Sequence, residues 1–314
     1  MSQTISKFKK AITYGLTLFI FLILQVQGIS QQEPDTSFTF SISQPEYARD
    51  SGPLIYIDEA HHNFHTLASR FYPFAKLMRL DGYRVESLSE AITSTEVLKD
   101  CKILVIANAL NASDTVEWVL PTLSAFSTEE ISILKKWVEN GGRLLLIADH
   151  MPFAGAVSDL AKAFGFEFLN GFAYTGGMIR IPTMFSLKKG MLANSPVAKG
   201  SSEIEKIDSV GTFLGSAFKA PKKAIPVLRF LPDHYSLQPD TAFRYDEHTP
   251  EKKLKGYLQG ALLNFDKGKI AVFGEAAMFT AQIVNGRLKM GFNSEDAPQN
   301  AQFTLNLIHW LDKP

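Results

Sequence analysis

Histidine, carboxylate and amide side chains gather at a few points of this chain. Asp58-Glu59-Ala-His61-His62-Asn63-Phe-His65 follows the apolar run Pro53-Leu-Ile-Tyr-Ile57. Asn108-Ala-Leu-Asn111 follows Lys102-Ile-Leu-Val-Ile-Ala107, and Asp149-His150 follows Arg143-Leu-Leu-Leu-Ile-Ala148. Gly274-Glu275 follows Lys269-Ile-Ala-Val-Phe273. Carboxylates and imidazoles are the usual proton donors and acceptors of hydrolysis. We take Asp58, Glu59, Asp149, His150 and Glu275 as candidate catalytic groups. His61, His62, Asn108 and Asn111 are candidate contacts for a polar ligand. His61 and His65 stand four residues apart, a spacing that lets two imidazoles on a helix share a metal. With Asp149 they form a candidate site for a divalent ion such as zinc, which would acidify a bound water. No Glu lies between them as in zinc proteases. Ligand contact and plain hydrogen bonding therefore stand beside metal binding.

Other chemistries have little support. The single Cys101 precedes its apolar run, which places it at the opposite strand end, and it excludes an internal disulfide. No Gly-x-Ser-x-Gly elbow and no phosphate- or dinucleotide-binding glycine loop occurs. The 32 basic and 32 acidic residues balance. Without a basic cluster, nucleic acid is not an expected partner.

The elements that must position these residues alternate between strand and helix. Strands are expected at 53–57, 83–88, 102–107, 143–148 and 269–273. Leu67, Phe71, Phe74 and Met78 recur at helical spacing, ending near Gly82. Ser127-Thr-Glu-Glu130 is a capping box opening a helix that carries Ile131, Leu134, Trp137 and Val138. A short helix runs to about Phe164, and a last one starts near Pro298. Asp266-Lys267-Gly268 turns a hairpin between 257–265 and 269–273. Nearly continuous apolar strands alternating with helices imply an α/β fold, a parallel sheet covered on both faces. In such sheets ligands bind outside the C-terminal strand ends, where all four polar groups fall. Residues 170–255, rich in Gly, Pro and Lys, read as an irregular, β-containing extension.

Lys7, Lys9 and Lys10 precede a 14-residue apolar run, Ala11–Leu24, and then Gly28 and Ser30. That pattern predicts a cleaved signal peptide over 1–30 and a periplasmic or secreted protein, with a retained anchor as the alternative. A permanent span needs roughly 20 apolar residues. Once cleaved, the chain keeps 29 basic against 32 acidic residues, and 31–52 is a polar leader before a domain at 53–314.

Three motifs in order, Ile55-Tyr-Ile-Asp58-Glu-Ala-His61, Gly142-Arg-Leu-Leu-Leu-Ile-Ala-Asp149-His150 and Gly268-Lys-Ile-Ala-Val-Phe-Gly-Glu275, carry a resemblance. Over about 53–312 the chain resembles a family of uncharacterised exported bacterial proteins in the class I glutamine amidotransferase-like superfamily. The resemblance implies a flavodoxin-like sheet. Amidotransferases of that fold use a Cys nucleophile with His and Glu partners, and no strand end here supplies the Cys. Glutamine hydrolysis by that route is not expected. Two functions stay open: an envelope hydrolase using metal or acid/base chemistry, and a non-catalytic module binding a partner or a small polar or carbohydrate-like ligand.

Overall fold

The structure, a computed structural model, describes residues 32–175 and 182–313. In chain order it forms β1 (Gln32–Pro34), β2 (Leu54–Asp58), α1 (Tyr72–Leu80), β3 (Arg84–Leu88), β4 (Cys101–Ala107), α2 (Thr128–Glu139) and β5 (Arg143–Ile147). Then come α3 (Phe153–Ala156), α4 (Ser158–Ala163), β6 (Glu167–Leu169), β7 (Phe172–Tyr174), β8 (Thr183–Ser186) and α5 (Pro196–Lys199). The short strands β9 (Ser209–Thr212), β10 (Ala217–Lys219), β11 (Ile225–Arg229), β12 (Tyr235–Leu237) and β13 (Glu251–Lys253) follow. The chain closes with β14 (Leu258–Phe265), β15 (Gly268–Phe273), β16 (Ala281–Val284), β17 (Leu288–Gly291) and α6 (Asn300–Asp312). The expected signal segment lies outside the described residues.

The central sheet runs β3-β2-β4-β5-β15-β14-β10-β6, with β11 also on β14. Its first five strands are parallel and follow the flavodoxin-like order. The hairpin β14–β15 then reverses direction. Side chains alternate between two apolar layers. Ile55, Ile103, Val105, Leu145, Ile147, Ala271 and Phe273 join one layer with Phe74 and Met78 of α1 and Phe303 and Leu307 of α6. Leu104, Ile106, Leu144, Leu146, Ile270 and Val272 join the other with Leu134 and Val138 of α2 and Leu160 of α4. Burial on both faces is why these strands lack a polar side.

The structure adjusts one expectation and fills in two others. Helix α1 starts only at Tyr72, with Pro73 in its first turn, so Leu67 and Phe71 reach the core from the preceding loop. The 170–255 extension carries short strands, as read from the sequence. Its β10 and β11 pair with β14 and widen the main sheet. The leader is not loose. β1 pairs with β16, and Phe38, Phe40, Ile42 and Tyr47 pack on the core.

The leader is fastened where α1 ends. Asp81, fully buried, accepts from the Glu46 N–H at 2.9 Å and lies 2.6 Å from His309 of α6. The Tyr47 and Tyr83 hydroxyls both donate to Asp312. Gly82 sits at φ +90, and a Cβ there would stand 2.3 Å from the Tyr47 carbonyl oxygen. Gly82→Ala should therefore cost at least about 2 kcal/mol, since both the backbone conformation and the space exclude a side chain. Urea unfolding measures it; a loss under about 0.5 kcal/mol would show that the leader does not seat there as described.

Candidate functional site

The strand ends carry two polar clusters. In the first, β2 ends in Asp58, fully buried, and the chain turns so that His61 Nδ1 lies 2.9 Å from both Asp58 oxygens. The other face of the ring, Nε2, lies 3.1 Å from Glu130 in the first turn of α2. Glu130 also completes the capping box with Ser127, and the Phe126 ring packs 4.1 Å from the imidazole. A neutral imidazole has one N–H and matches one carboxylate; the protonated ring matches both. Burial disfavours that charge, but Asp58 and Glu130 outweigh it and raise the His61 pKa above 6.5. For Glu130 burial pulls upward, yet the bonds to Ser127 and His61 prevail and lower its pKa. Asp58, His61 and Glu130 thus bracket β2 to α2, and both ring nitrogens are engaged.

The second cluster centres on Asn108, buried directly after β4 and at φ +54. Its Oδ1 accepts from the Asp149 N–H at 2.8 Å, and its Nδ2 donates to His65 Nδ1 at 3.2 Å. His65 Nε2 therefore carries the hydrogen. The Gln282 amide lies 3.3 Å away and matches that N–H with its oxygen turned to it. Burial, helped by the Arg70 charge, pushes the His65 pKa down to about 3. His65 is a neutral link in this chain.

Glu275, 1% exposed after β15, accepts from the Ala277 and Met278 N–H groups at 2.8 Å each. Burial, and then repulsion from Asp149, push its pKa well above 4.5, although those bonds and one from Phe213 oppose the shift. Two carboxyl groups on neighbouring strand ends thus share an environment that disfavours two charges. Beside them the non-glycine Leu214 holds φ +116, backbone strain of a kind often stored at functional sites. Gln259 Nε2 fixes that residue by donating to its carbonyl at 2.8 Å.

His150 extends this cluster. Its N–H donates to Asp149, and Nδ1 lies 2.7 Å from the Met151 carbonyl, which fixes the hydrogen there and leaves Nε2 as the acceptor of the neutral ring. The ring stacks on Phe172 at 4.6 Å and lies 4.9 Å from Phe243, with Phe153 and Trp118 at 5.8 and 6.2 Å. Asp149, His150, Trp118 and Phe243 are half-exposed.

The structure brings Asn108, Asp149, His150 and Glu275 together. It keeps Asp58 and His61 in their own bracket. Glu59 is spent on the Leu67 N–H at 2.7 Å, and Asn111 caps the turn at Ser113. His62 is exposed at φ +47. The proposed metal trio does not converge. Residues 59–66 form a loop rather than a helix, so His61 and His65 face different partners. Among the described residues no three His, Cys, Asp or Glu side chains are placed to hold a metal. Cys101 is buried, and burial pushes its thiol up to about 12. Sequence reasoning missed Glu130, whose capping signal concealed a second role, and Gln282, Leu214, Trp118 and Phe243, which carry no motif.

No protein-family model and no curated protein matches this sequence. Among solved structures, the mmIFT52 N-terminal domain is similar over 83% of this chain and 98% of its own, at 17% identity and a TM-score of 0.57. A ThuA-like protein from Bacteroides uniformis is similar over 87% and 94%, at 14% identity and a TM-score of 0.47. Cytoplasmic protein STM1381 from Salmonella typhimurium LT2 is similar over 83% and 100%, at 13% identity and a TM-score of 0.48. At such identities the likeness shows the fold alone.

The two clusters give pH signatures that variants separate. Folded Glu275 keeps its proton above 4.5, where the unfolded chain has lost it, so stability falls as pH rises from there towards the folded value. Glu275→Gln should flatten that slope. His61 contributes stability that is full below 6.5 and is lost as pH rises through its higher folded value. His61→Gln should remove this loss. Urea unfolding from pH 4 to 9 reads both; a variant whose slope matches the parent's would refute the corresponding assignment.

Proposed function

We propose that this chain is an exported cell-envelope protein whose strand-end cleft binds a small polar ligand and hydrolyses it by acid/base chemistry. The observation that carries the reading is the carboxyl pair of Asp149 and Glu275 beside His150. Burial, and then repulsion from Asp149, raise the Glu275 pKa, so the two carboxyl groups resist carrying two charges and the pair tends to hold a proton. His150, its hydrogen directed to Met151, offers Nε2 as the base that draws a proton from water. Asp149 orients His150 through the backbone and accepts the polar end of the ligand. Glu275 keeps the charge of the pair at one. Asn108 and His65 hold the Asp149 backbone in place. The bracket of Asp58, His61 and Glu130 has a supporting role, because its polar atoms are occupied by one another.

A second reading, a binding module without turnover, draws on the half-exposed Trp118 and Phe243 beside His150, aromatic rings that suit a sugar face. Export rests on Lys7–Ser30 and sits with a periplasmic or secreted location.

The test is a panel of p-nitrophenyl esters and glycosides between pH 5 and 8. Turnover by the parent protein should fall by about 10²–10⁴-fold in His150→Ala and Asp149→Asn, with unfolding midpoints unchanged. Turnover equal in parent and variants, or none with any member, would remove the hydrolase and leave the binding module. Activity abolished by a chelator would instead assign the chemistry to a metal.

A further inference from the structure

The residues between Asn111 and Ser124 form a rigid loop with an unusual surface. Val116, Val119, Leu120 and Leu123 are four of the eight exposed large hydrophobic residues among those described, and Val116 is 88% exposed. Glu117 is the one charged residue between Thr115 and Ala125. The loop is pinned throughout. Asp114 accepts from the Leu123 N–H at 3.0 Å, the Leu120 N–H donates to Asp240 at 2.8 Å, and the Trp118 carbonyl accepts from Ala242 at 2.9 Å. Asn170 donates to Thr122 at 2.9 Å, and Asn111 to the Ser124 carbonyl at 2.8 Å. Apolar side chains held outward by this many bonds are a built feature of the loop.

Its underside belongs to the strand-end site. Trp118, half-exposed in the middle of the loop, packs on Phe153 at 5.2 Å and lies 6.2 Å from His150 and 6.3 Å from Phe243. Trp118, two residues from both Val116 and Leu120, thus links this apolar loop to the His150 ring. On the far flank, Leu120 and Pro121 border an open cavity of about 540 Å³ that also includes Thr122, Ser124, Ser158 and Asn170. The apolar ridge is one short segment, whereas a stable dimer buries about 800 Å² on each partner, so a second copy is a poor match.

We propose that the ligand is a single amphiphilic molecule whose apolar tail lies on the lip formed by Val116, Val119, Leu120 and Leu123. Its polar end reaches Asp149 and His150, which rests on the reading given above. Burying a tail there removes apolar surface of both partners from water, the main driving force such a ridge offers.

The probe is octyl β-glucoside, titrated below its micelle concentration into the full chain by calorimetry. Saturable binding with a negative heat-capacity change is expected, at least about tenfold tighter than glucose. Val116→Ser with Leu120→Ser should weaken it about tenfold; both residues are exposed, and circular dichroism checks that the fold persists. Equal affinity in that variant, no binding, or association only with phosphatidylglycerol vesicles, which would mark a bilayer contact, each overturns the proposal. Binding lost in the lip variant but unchanged in Asp149→Asn supports the tail site and overturns the assignment of the polar end. The two failures are therefore separable.

Discussion

Asn108 is the residue on which the strand-end architecture rests. Every polar group of its backbone and side chain is used. Its N–H donates to Ile147, its carbonyl accepts from Phe64, Oδ1 holds the Asp149 N–H, and Nδ2 holds His65. Through its backbone and its two polar side-chain atoms, the loop after β2 and the end of β5 are both joined to the end of β4. The left-handed backbone at this position is tolerated by Asn better than by most residues, and it is what turns the amide across the sheet towards β5. An Asp could not donate to His65, and a Leu would leave the Asp149 N–H and His65 Nδ1 unmatched. This amide ties the loop after β2 to the loop after β5 directly, and His65 carries the link on to Gln282 of β16.

The two clusters solve the problem of buried carboxylates in opposite ways. Asp58 has a cation of its own, the His61 imidazolium, which Glu130 shares. Such an arrangement satisfies its atoms internally and has nothing left for a ligand. Among the described residues no cation is paired with Glu275; backbone N–H groups hold its oxygens, and burial raises its pKa. A buried carboxyl whose pKa is raised by burial and by a neighbouring carboxylate is not neutralised by a partner of its own. This contrast explains why two sets of similar residues, both at strand ends, have different prospects as reactive sites.

Much of the framework was legible in the chain. The five parallel strands, the capping box of α2 and the β14–β15 hairpin follow from apolar runs, Ser127-Thr-Glu-Glu130 and Asp266-Lys267-Gly268, all of them local signals. The convergence of Asn108, Asp149 and Glu275 was legible because strand ends of a parallel sheet must meet. What stayed hidden is nonlocal. Glu130 reaches His61 across 69 residues, and Gln282 reaches His65 across 217, with no spacing rule to connect them. The i,i+4 reading of His61 and His65 failed because the loop from Glu59 to Thr66 bonds to its surroundings, His61 through its carbonyl to Leu110 and Phe64 to Asn108. Those tertiary bonds outweighed any local tendency to helix. The leader reads as polar around its apolar residues, yet Phe38, Phe40 and Ile42 alternate with polar ones at a period of two, a short, legible signal that sequence reasoning passed over.

The margins of the central sheet have a consequence for how copies of this protein behave when crowded. On one side β3 presents Arg84, Glu86 and Ser87 outward, with charges of both signs along the rim. On the other, the long strand β14 is covered in relay by β10 and β11, and the outermost strand, β6, is only three residues long. Neither margin offers the long, flat, uncharged row of peptide groups that recruits a further strand from another chain. The central sheet is thereby shielded from edge-to-edge pairing with a further copy.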